Sequence, residues 1–363
     1  MFYQLLYPLH TIHGLGFLNV FRYLTFRSAY AAVTALLVSF LAGPHVIHWL
    51  KESRLGQKIR AEGPQSHQGK AGTPTMGGLL ILIAIVLPTM MWADLSNRNV
   101  LLALFATVWL AGVGFVDDYL HVVKGVRSGL LGRYKLVAQG LLGVIIGVVL
   151  LLFPTEHVPA TWTTVPFLKF NYVNFGIFFV PFVALVITGS SNAVNLTDGL
   201  DGLASGLVAF AAVTFAGLCY FAGNVKFSQY LTVLYLPGSG ELTVFCAAVL
   251  GASLWFLWFN CHPSDVFMGD TGSLALGGAL VTVAVLIKHE FLLFVVGGVF
   301  VAEALSVMIQ VLSFKLYGRR VFRMSPLHHH FELAGWAESR VVTRFYIVAA
   351  LLALISLSTL KLQ

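Results

Sequence analysis

The sequence predicts an all-α protein that crosses a membrane about ten times, with both termini on the outer, periplasmic side. Three observations lead there. Of 363 residues, 58% are hydrophobic and 10% charged, with a mean hydropathy of +0.85, far from the roughly 25% charged of soluble domains. The apolar residues gather into runs close to the roughly 20 residues that a helix needs to cross about 30 Å of hydrocarbon. The Lys and Arg between those runs are divided unequally.

In chain order, residues 1–28 lack a basic start, a compact apolar middle and a small-residue cleavage site, and Arg22 and Arg27 follow the apolar stretch. That segment reads as interfacial, not as a signal peptide. Apolar runs follow at about 29–50, 77–93, 100–116, 136–153, 173–187, 203–221, 243–258, 274–287, 291–312 and 342–360. An even number of spans leaves two alternating sets of loops. The set at 51–76, 117–135, 188–202, 259–273 and 313–340, with Arg344 just beyond, holds 15 of the 22 basic residues, which places it in the cytoplasm by the positive-inside rule. No internal repeat or separate soluble domain interrupts the pattern, so 1–363 reads as one integral membrane domain.

The formal charge of +7 is spread between apolar runs. It does not form the basic, aromatic-laced domain of a nucleic-acid binder, and nucleic acid is not an expected partner. Cys219, Cys246 and Cys261 have no paired spacing, which argues against a disulfide framework or a zinc site.

Acidic residues do not follow the positive-inside rule, yet six of the seven Asp, all but Asp94, fall on the basic-rich side. Carboxylates converging from separate loops at a membrane boundary suggest a cation site, and their oxygens favour magnesium, or manganese, over zinc. Asp117 and Asp118 close the third run and point about 100° apart if helical, so they are expected to play different roles in metal binding and proton transfer. Asp270, in Phe267-Met-Gly-Asp-Thr-Gly-Ser273, precedes a helix start that suits a phosphate. Asp265 is read as an outer loop charge.

Asn192, Asn195, Asp198 and Asp201 recur every third residue. A helix would spread them by about 60° per step, so Gly199 and Gly202 are taken to support a tight, non-helical path that turns polar groups toward a ligand. Lys70-Ala-Gly-Thr-Pro-Thr-Met-Gly-Gly78 offers a cation, two hydroxyls and glycines to a pyrophosphate, but its spacing is not that of a Walker A loop. His328, His329 and His330 follow Pro326-Leu327. Three consecutive side chains diverge, so phosphate or sugar contacts suit them better than one shared zinc.

Together Lys70 to Gly78, Asp117-Asp118-Tyr119-Leu120, Arg133 to Gln139, Asn192 to Gly202, Phe267 to Ser273, Glu303 and Pro326 to Glu332 resemble the phospho-N-acetylmuramoyl-pentapeptide transferase (MraY) family. It belongs to the polyprenyl-phosphate N-acetylhexosamine-1-phosphate transferases. The likeness covers nearly the whole chain. It implies a magnesium-dependent transfer of phospho-MurNAc-pentapeptide from its UDP carrier to undecaprenyl phosphate at the cytoplasmic face of the inner membrane. It also implies a ten-span homodimer in membrane lipid. Carried over by motif, Asp270 resembles a magnesium ligand, Asp117 and Asp118 resemble catalytic acids at the same metal, and His328, His329 and His330 resemble substrate-binding residues. Lys70, Thr75, Asn192, Asn195, Asp198, Asp201 and Phe267 resemble a pocket for the nucleoside and for nucleoside inhibitors, with Phe267 stacking on uracil. Lys135 is expected to help Lys70 offset the pyrophosphate charge. Asp117 is read as a base in preference to a nucleophile. A sibling transferase using UDP-N-acetylglucosamine is the nearest alternative. An ion-coupled transporter is the alternative from another class, although acids capping helices on one face do not resemble a midplane site between repeats.

Overall fold

The computed structural model describes residues 1–52, 73–126, 129–155, 158–168 and 171–361. Its helices are α1 (Phe2–Leu6), α2 (Leu24–Glu52), α3 (Gly78–Trp92), α4 (Arg98–Asp118), α5 (Gly132–Leu152), α6 (Phe179–Thr197) and α7 (Leu203–Ala222), then α8 (Val225–Leu231), α9 (Leu242–Asn260), α10 (Gly269–Leu286), α11 (Glu290–Val296), α12 (Gly298–Tyr317), α13 (Leu327–Leu333) and α14 (Glu338–Ser358). Among the described residues one hairpin pairs β1 (Trp162–Thr164) antiparallel with β2 (Tyr172–Asn174).

Among the described residues, nine helices are long and apolar enough to cross a membrane, and α3 is a shorter apolar helix of 15 residues. At 1.5 Å per residue α3 spans about 22 Å. Each of the ten apolar runs therefore contains a helix, and the chain is an all-α, multi-pass membrane protein. Layering follows from burial: 89% of the α10 span is buried against 22% of the α12 span, so α10 is the central helix and α12 a peripheral one. Small residues allow this. At Gly114 of α4 an added Cβ would lie 2.2 Å from the Asp270 carbonyl oxygen, and only glycine lets the two backbones approach so closely.

Two expectations need correction. The run at 291–312 is not one helix; it breaks at Gly297 into α11 and α12, where adjacent Gly297 and Gly298 weaken helical continuity. Nor is Asn192 to Gly202 a wholly non-helical path, because α6 runs on through Asn192 and Asn195 to Thr197. Three of its polar side chains bond within the helix: Ser191 Oγ donates to the Ile187 carbonyl at 2.7 Å, Asn192 Nδ2 to that of Thr188 at 2.8 Å and Thr197 Oγ1 to that of Ala193 at 2.8 Å. Polar residues are tolerated mid-bundle when so satisfied. Only residues 198–202 turn, with Gly202 at φ +79°.

The N-terminal segment, α1 and two short 3-10 turns, packs at one end of the bundle, where the Met1 ammonium donates to the Met90 carbonyl at 2.8 Å. At the same end Arg27 forms a bidentate pair with Glu241 at 2.7 and 2.6 Å, and Lys361 lies over the Tyr230 ring. Met1 and Lys361, the first and last described residues, therefore lie at one end of the bundle. The hairpin is fastened there too: Thr164 N donates to the Lys288 carbonyl at 3.0 Å, and the Thr163 hydroxyl donates to Glu290.

Candidate active site

At the opposite end of the bundle α4 finishes at Asp118, α5 begins at Gly132, α6 finishes at Thr197 and α10 begins at Gly269. Six of the seven Asp belong to this end, while Asp94 lies at the other, accepting from Gln4 Nε2 at 3.0 Å.

Asp117 and Asp118 diverge as consecutive helical residues must. Asp118 turns to α10: its Oδ1 accepts from the Asp270 N–H at 3.0 Å, and its Oδ2 accepts from the Thr271 N–H and hydroxyl at 2.9 and 2.6 Å. A carboxylate that would be unfavourable at the C-terminus of α4 is stabilised by the positive end of α10. Gly269 makes room, at φ +74°, where a Cβ would lie 2.7 Å from Asp118 Oδ2.

Asp117 turns elsewhere. Its Oδ1 accepts from the Leu130 N–H at 2.6 Å, and its Oδ2 lies 3.0 Å from Lys135 Nζ. The same ammonium donates to Asp270 Oδ2 at 2.5 Å. Asp270 Oδ1 accepts from Asn195 Nδ2 at 2.9 Å, and that amide also reaches Ser273 Oγ at 2.8 Å. One oxygen from each of Asp117, Asp118 and Asp270 lies within 4.8 Å of the others. All three are hard oxygen donors, and a lysine ammonium already lies against two of the carboxylates, so the set fits a hard divalent cation.

Asp198 stands beside this centre at the end of α6. Among the described residues no donor reaches its carboxylate, and burial first, then the charges of Asp270, Asp118 and Asp201, push it up to about 8. Thr75 is buried in a segment that pairs with the start of α10: Phe267 N donates to the Pro74 carbonyl at 2.8 Å and Gly77 N to the Phe267 carbonyl at 2.9 Å. The backbone thus brings the segments of Thr75 and Phe267 together beside Asp270. Lys70 lies outside the described residues.

The remaining candidates have other partners. Asn192 Nδ2 donates to Gln139 Oε1 at 2.8 Å, joining α6 to α5. Asp201 forms a second cluster: its carboxylate accepts from Ser264 Oγ at 3.0 Å and lies 3.1 Å from His262 Nδ1, while its N–H donates to Glu338 Oε1 at 2.8 Å. The histidines diverge as expected. His328 is buried against Glu303, His329 Nδ1 lies 2.7 Å from Glu332 Oε2, and His330 Nδ1 accepts from the Arg323 N–H at 3.1 Å. Sequence reasoning missed Thr271, Ser273, Leu130, His262 and Glu338. The first two sit in the same short motif as Asp270, which is a signal; the others carry no local one.

Carboxylates and a lysine at one end of a bundle of membrane-spanning helices suit a membrane enzyme of group transfer, and residues 100–288 match the profile of glycosyl transferase family 4. Residues 70–82 match phospho-N-acetylmuramoyl-pentapeptide-transferase signature 1. The chain is 54% identical over 363 residues to the phospho-N-acetylmuramoyl-pentapeptide-transferase of Citrifermentans bemidjiense, covering all of both chains. It is 52% identical to that of Desulfosudis oleivorans and 49% identical to that of Koribacter versatilis, again over the full length of each. The chain belongs to the phospho-N-acetylmuramoyl-pentapeptide-transferase family and is a transferase.

Proposed function

We propose that this protein transfers phospho-MurNAc-pentapeptide from UDP-MurNAc-pentapeptide to undecaprenyl phosphate, releasing UMP and forming the lipid-linked precursor of peptidoglycan. The observation that carries the reading is the meeting of Asp117, Asp118 and Asp270 within 4.8 Å, beside Lys135, in a chain of this family. An oxygen of the lipid phosphate attacks the sugar-bearing phosphorus of the pyrophosphate, and the anhydride bond to UMP breaks. One phosphoanhydride replaces another, so the reaction needs no ATP and is reversible.

The chain's residues divide the work by their partners. Lys135 offsets the charge of two approaching anions. Asp118, with three donors from α10, holds the site in shape. Asp117 accepts from the Leu130 N–H and from Lys135 and gives no oxygen to α10's amides, which leaves it the better placed to take a proton from the lipid phosphate. Magnesium held by Asp270 with Asp117 and Asp118, or manganese on the same oxygens, would compensate the pyrophosphate charge. Asn192, Asn195, Asp198 and Asp201, the Thr75 and Phe267 segments, Lys70 and the three histidines serve the nucleotide and sugar side, including its nucleoside inhibitors. The basic loops orient this end toward the cytoplasm of the inner membrane, with both termini periplasmic. The homodimer rests on family resemblance.

The test is a magnesium-dependent UMP-release assay on wild type beside Asp117→Asn, Asp118→Asn and Asp270→Asn, with undecaprenyl phosphate as acceptor. Each variant should lose at least about a hundred-fold in rate. Equal activity in all four proteins would remove the proposed centre, and a wild type that accepted only UDP-N-acetylglucosamine would remove the substrate.

A further inference from the structure

Glu303 takes no part in the transfer described above, yet it is 0% exposed on a membrane-spanning helix. An ionisable group held there at such cost calls for a partner and a role. Its carboxylate is turned to α13. Oε1 accepts from the His328 N–H at 3.2 Å, and Oε2 lies 3.3 Å from His328 Nδ1, an ion-pair distance outside hydrogen-bond alignment. Pro326, the N-cap of α13, makes no side-chain cap, so a residue of α12 supplies the acceptor that its first turn lacks.

His328 is 1% exposed, and its Nε2 has no hydrogen-bond partner among the described residues. That nitrogen is pressed against Gly199, where an added Cβ would lie 2.3 Å away. Gly199 belongs to the 198–202 turn that carries Asp198 and Asp201. The far half of this turn has its own fastenings: Asp201 N–H to Glu338 at 2.8 Å, Gly202 N–H to Asn260 Oδ1 at 3.0 Å and the Tyr346 hydroxyl to the Gly202 carbonyl at 2.6 Å. The near half is held by backbone bonds to its immediate chain neighbours, Asp198 N–H to the Asn195 carbonyl at 3.3 Å, Gly199 N–H to the Thr197 carbonyl at 2.8 Å and Leu203 N–H to the Leu200 carbonyl at 3.1 Å, with the imidazole behind it.

We propose that Glu303 is a positioning residue for the uridine nucleotide: it holds His328 as a wall against Gly199, and so sets the shape of the 198–202 turn without touching substrate. The inference rests on the transfer reading above. A helix buried in lipid thereby controls a nucleotide-facing turn through one histidine.

Glu303→Gln and Gly199→Ala test it from opposite sides of the imidazole. Glutamine keeps an acceptor for the His328 N–H but replaces the carboxylate oxygen that lies 3.3 Å from Nδ1. Alanine pushes on the ring from the turn and leaves α12 and α13 as they are. The measurements are steady-state kinetics with UDP-MurNAc-pentapeptide and undecaprenyl phosphate each varied, calorimetric binding of UMP, and the thermal unfolding midpoint. In both variants the nucleotide-substrate KM and the UMP Kd should rise about ten-fold, with kcat and the lipid KM within about two-fold of wild type. A fall in kcat or in midpoint with KM and Kd unchanged would make Glu303 a scaffold residue and overturn the proposal, as would no change at all. Should Glu303→Gln fail to fold, Gly199→Ala decides on the same readouts. A wild type that releases no UMP sinks the transfer reading; a working wild type with unaltered variants sinks only this one.

Discussion

Thr271 gives both its backbone N–H, at 2.9 Å, and its hydroxyl, at 2.6 Å, to one oxygen of Asp118. The two residues stand at the end of α4 and the start of α10, so this joint fixes how the acid-bearing ends of the two helices meet.

Removing the hydroxyl while keeping the shape tests the joint. Thr271→Val should cost about 2 kcal/mol, as expected for a lost hydrogen bond to a charged group, and Asp118→Asn should lower the unfolding midpoint as well as the rate. Asp117→Asn should lower the rate with little change in midpoint. Thermal unfolding beside UMP release distinguishes them, and equal midpoints in all three variants would refute the division of labour.

Lys135 holds together two carboxylates that would otherwise repel. Lys135→Met should therefore lower the unfolding midpoint in chelator and regain most of it when magnesium is added, with several-fold tighter magnesium binding than wild type and a reduced kcat. A magnesium titration followed by thermal unfolding checks this. A variant indifferent to magnesium would show that the ammonium does not stand where the cation binds.

Close approach of α4 and α10 gives a paired prediction. Gly114→Ala would set its methyl 2.2 Å from the Asp270 carbonyl oxygen, whereas Gly112 has nothing within 4 Å of its added Cβ. Gly114→Ala should abolish activity and reduce the folded fraction. Gly112→Ala should match wild type or gain up to about 1 kcal/mol from helix propensity. Size-exclusion profiles and unfolding midpoints report both.

Asp198 gives a pH dependence whose sign is fixed. Burial and neighbouring carboxylates raise its folded pKa to about 8 from 3.8, so its contribution to stability is complete below about pH 4 and is lost as the pH climbs through 8. In chelator the midpoint of wild type should fall, relative to Asp198→Asn, between about pH 5 and pH 8.5. Magnesium should narrow the gap, because a nearby cation favours the ionised carboxylate. Parallel curves for the two proteins in chelator would show that Asp198 is already ionised.

Much of this was legible in the chain itself. Ten apolar runs dictate helices because unpaired backbone groups are not tolerated in lipid, and alternating loop charge sorts the acids to one end. Asp117 and Asp118 were separable in role because helical neighbours diverge, and the histidine triplet for the same reason. The continuation of α6 through Asn192 and Asn195 was hidden. Those polar side chains signal a turn unless a helical neighbour accepts them, and Gln139 and Asp270 do so from distant parts of the sequence.

By itself, then, the sequence determined the solvent, the helices, the acid-rich end and the family, all of which follow from composition, short-range periodicity and local motifs. Only the tertiary structure decided that Asp118 serves as a cap, that Lys135 bridges Asp117 and Asp270, that Asp201 joins His262 and Glu338, and that Glu303 backs His328. The physical reason is separation along the chain: Asp118 meets Thr271 across 153 positions and Lys135 meets Asp270 across 135. No local propensity encodes such a pairing. It is set when small residues let α4 and α10 pack close enough for hydrogen bonds to form.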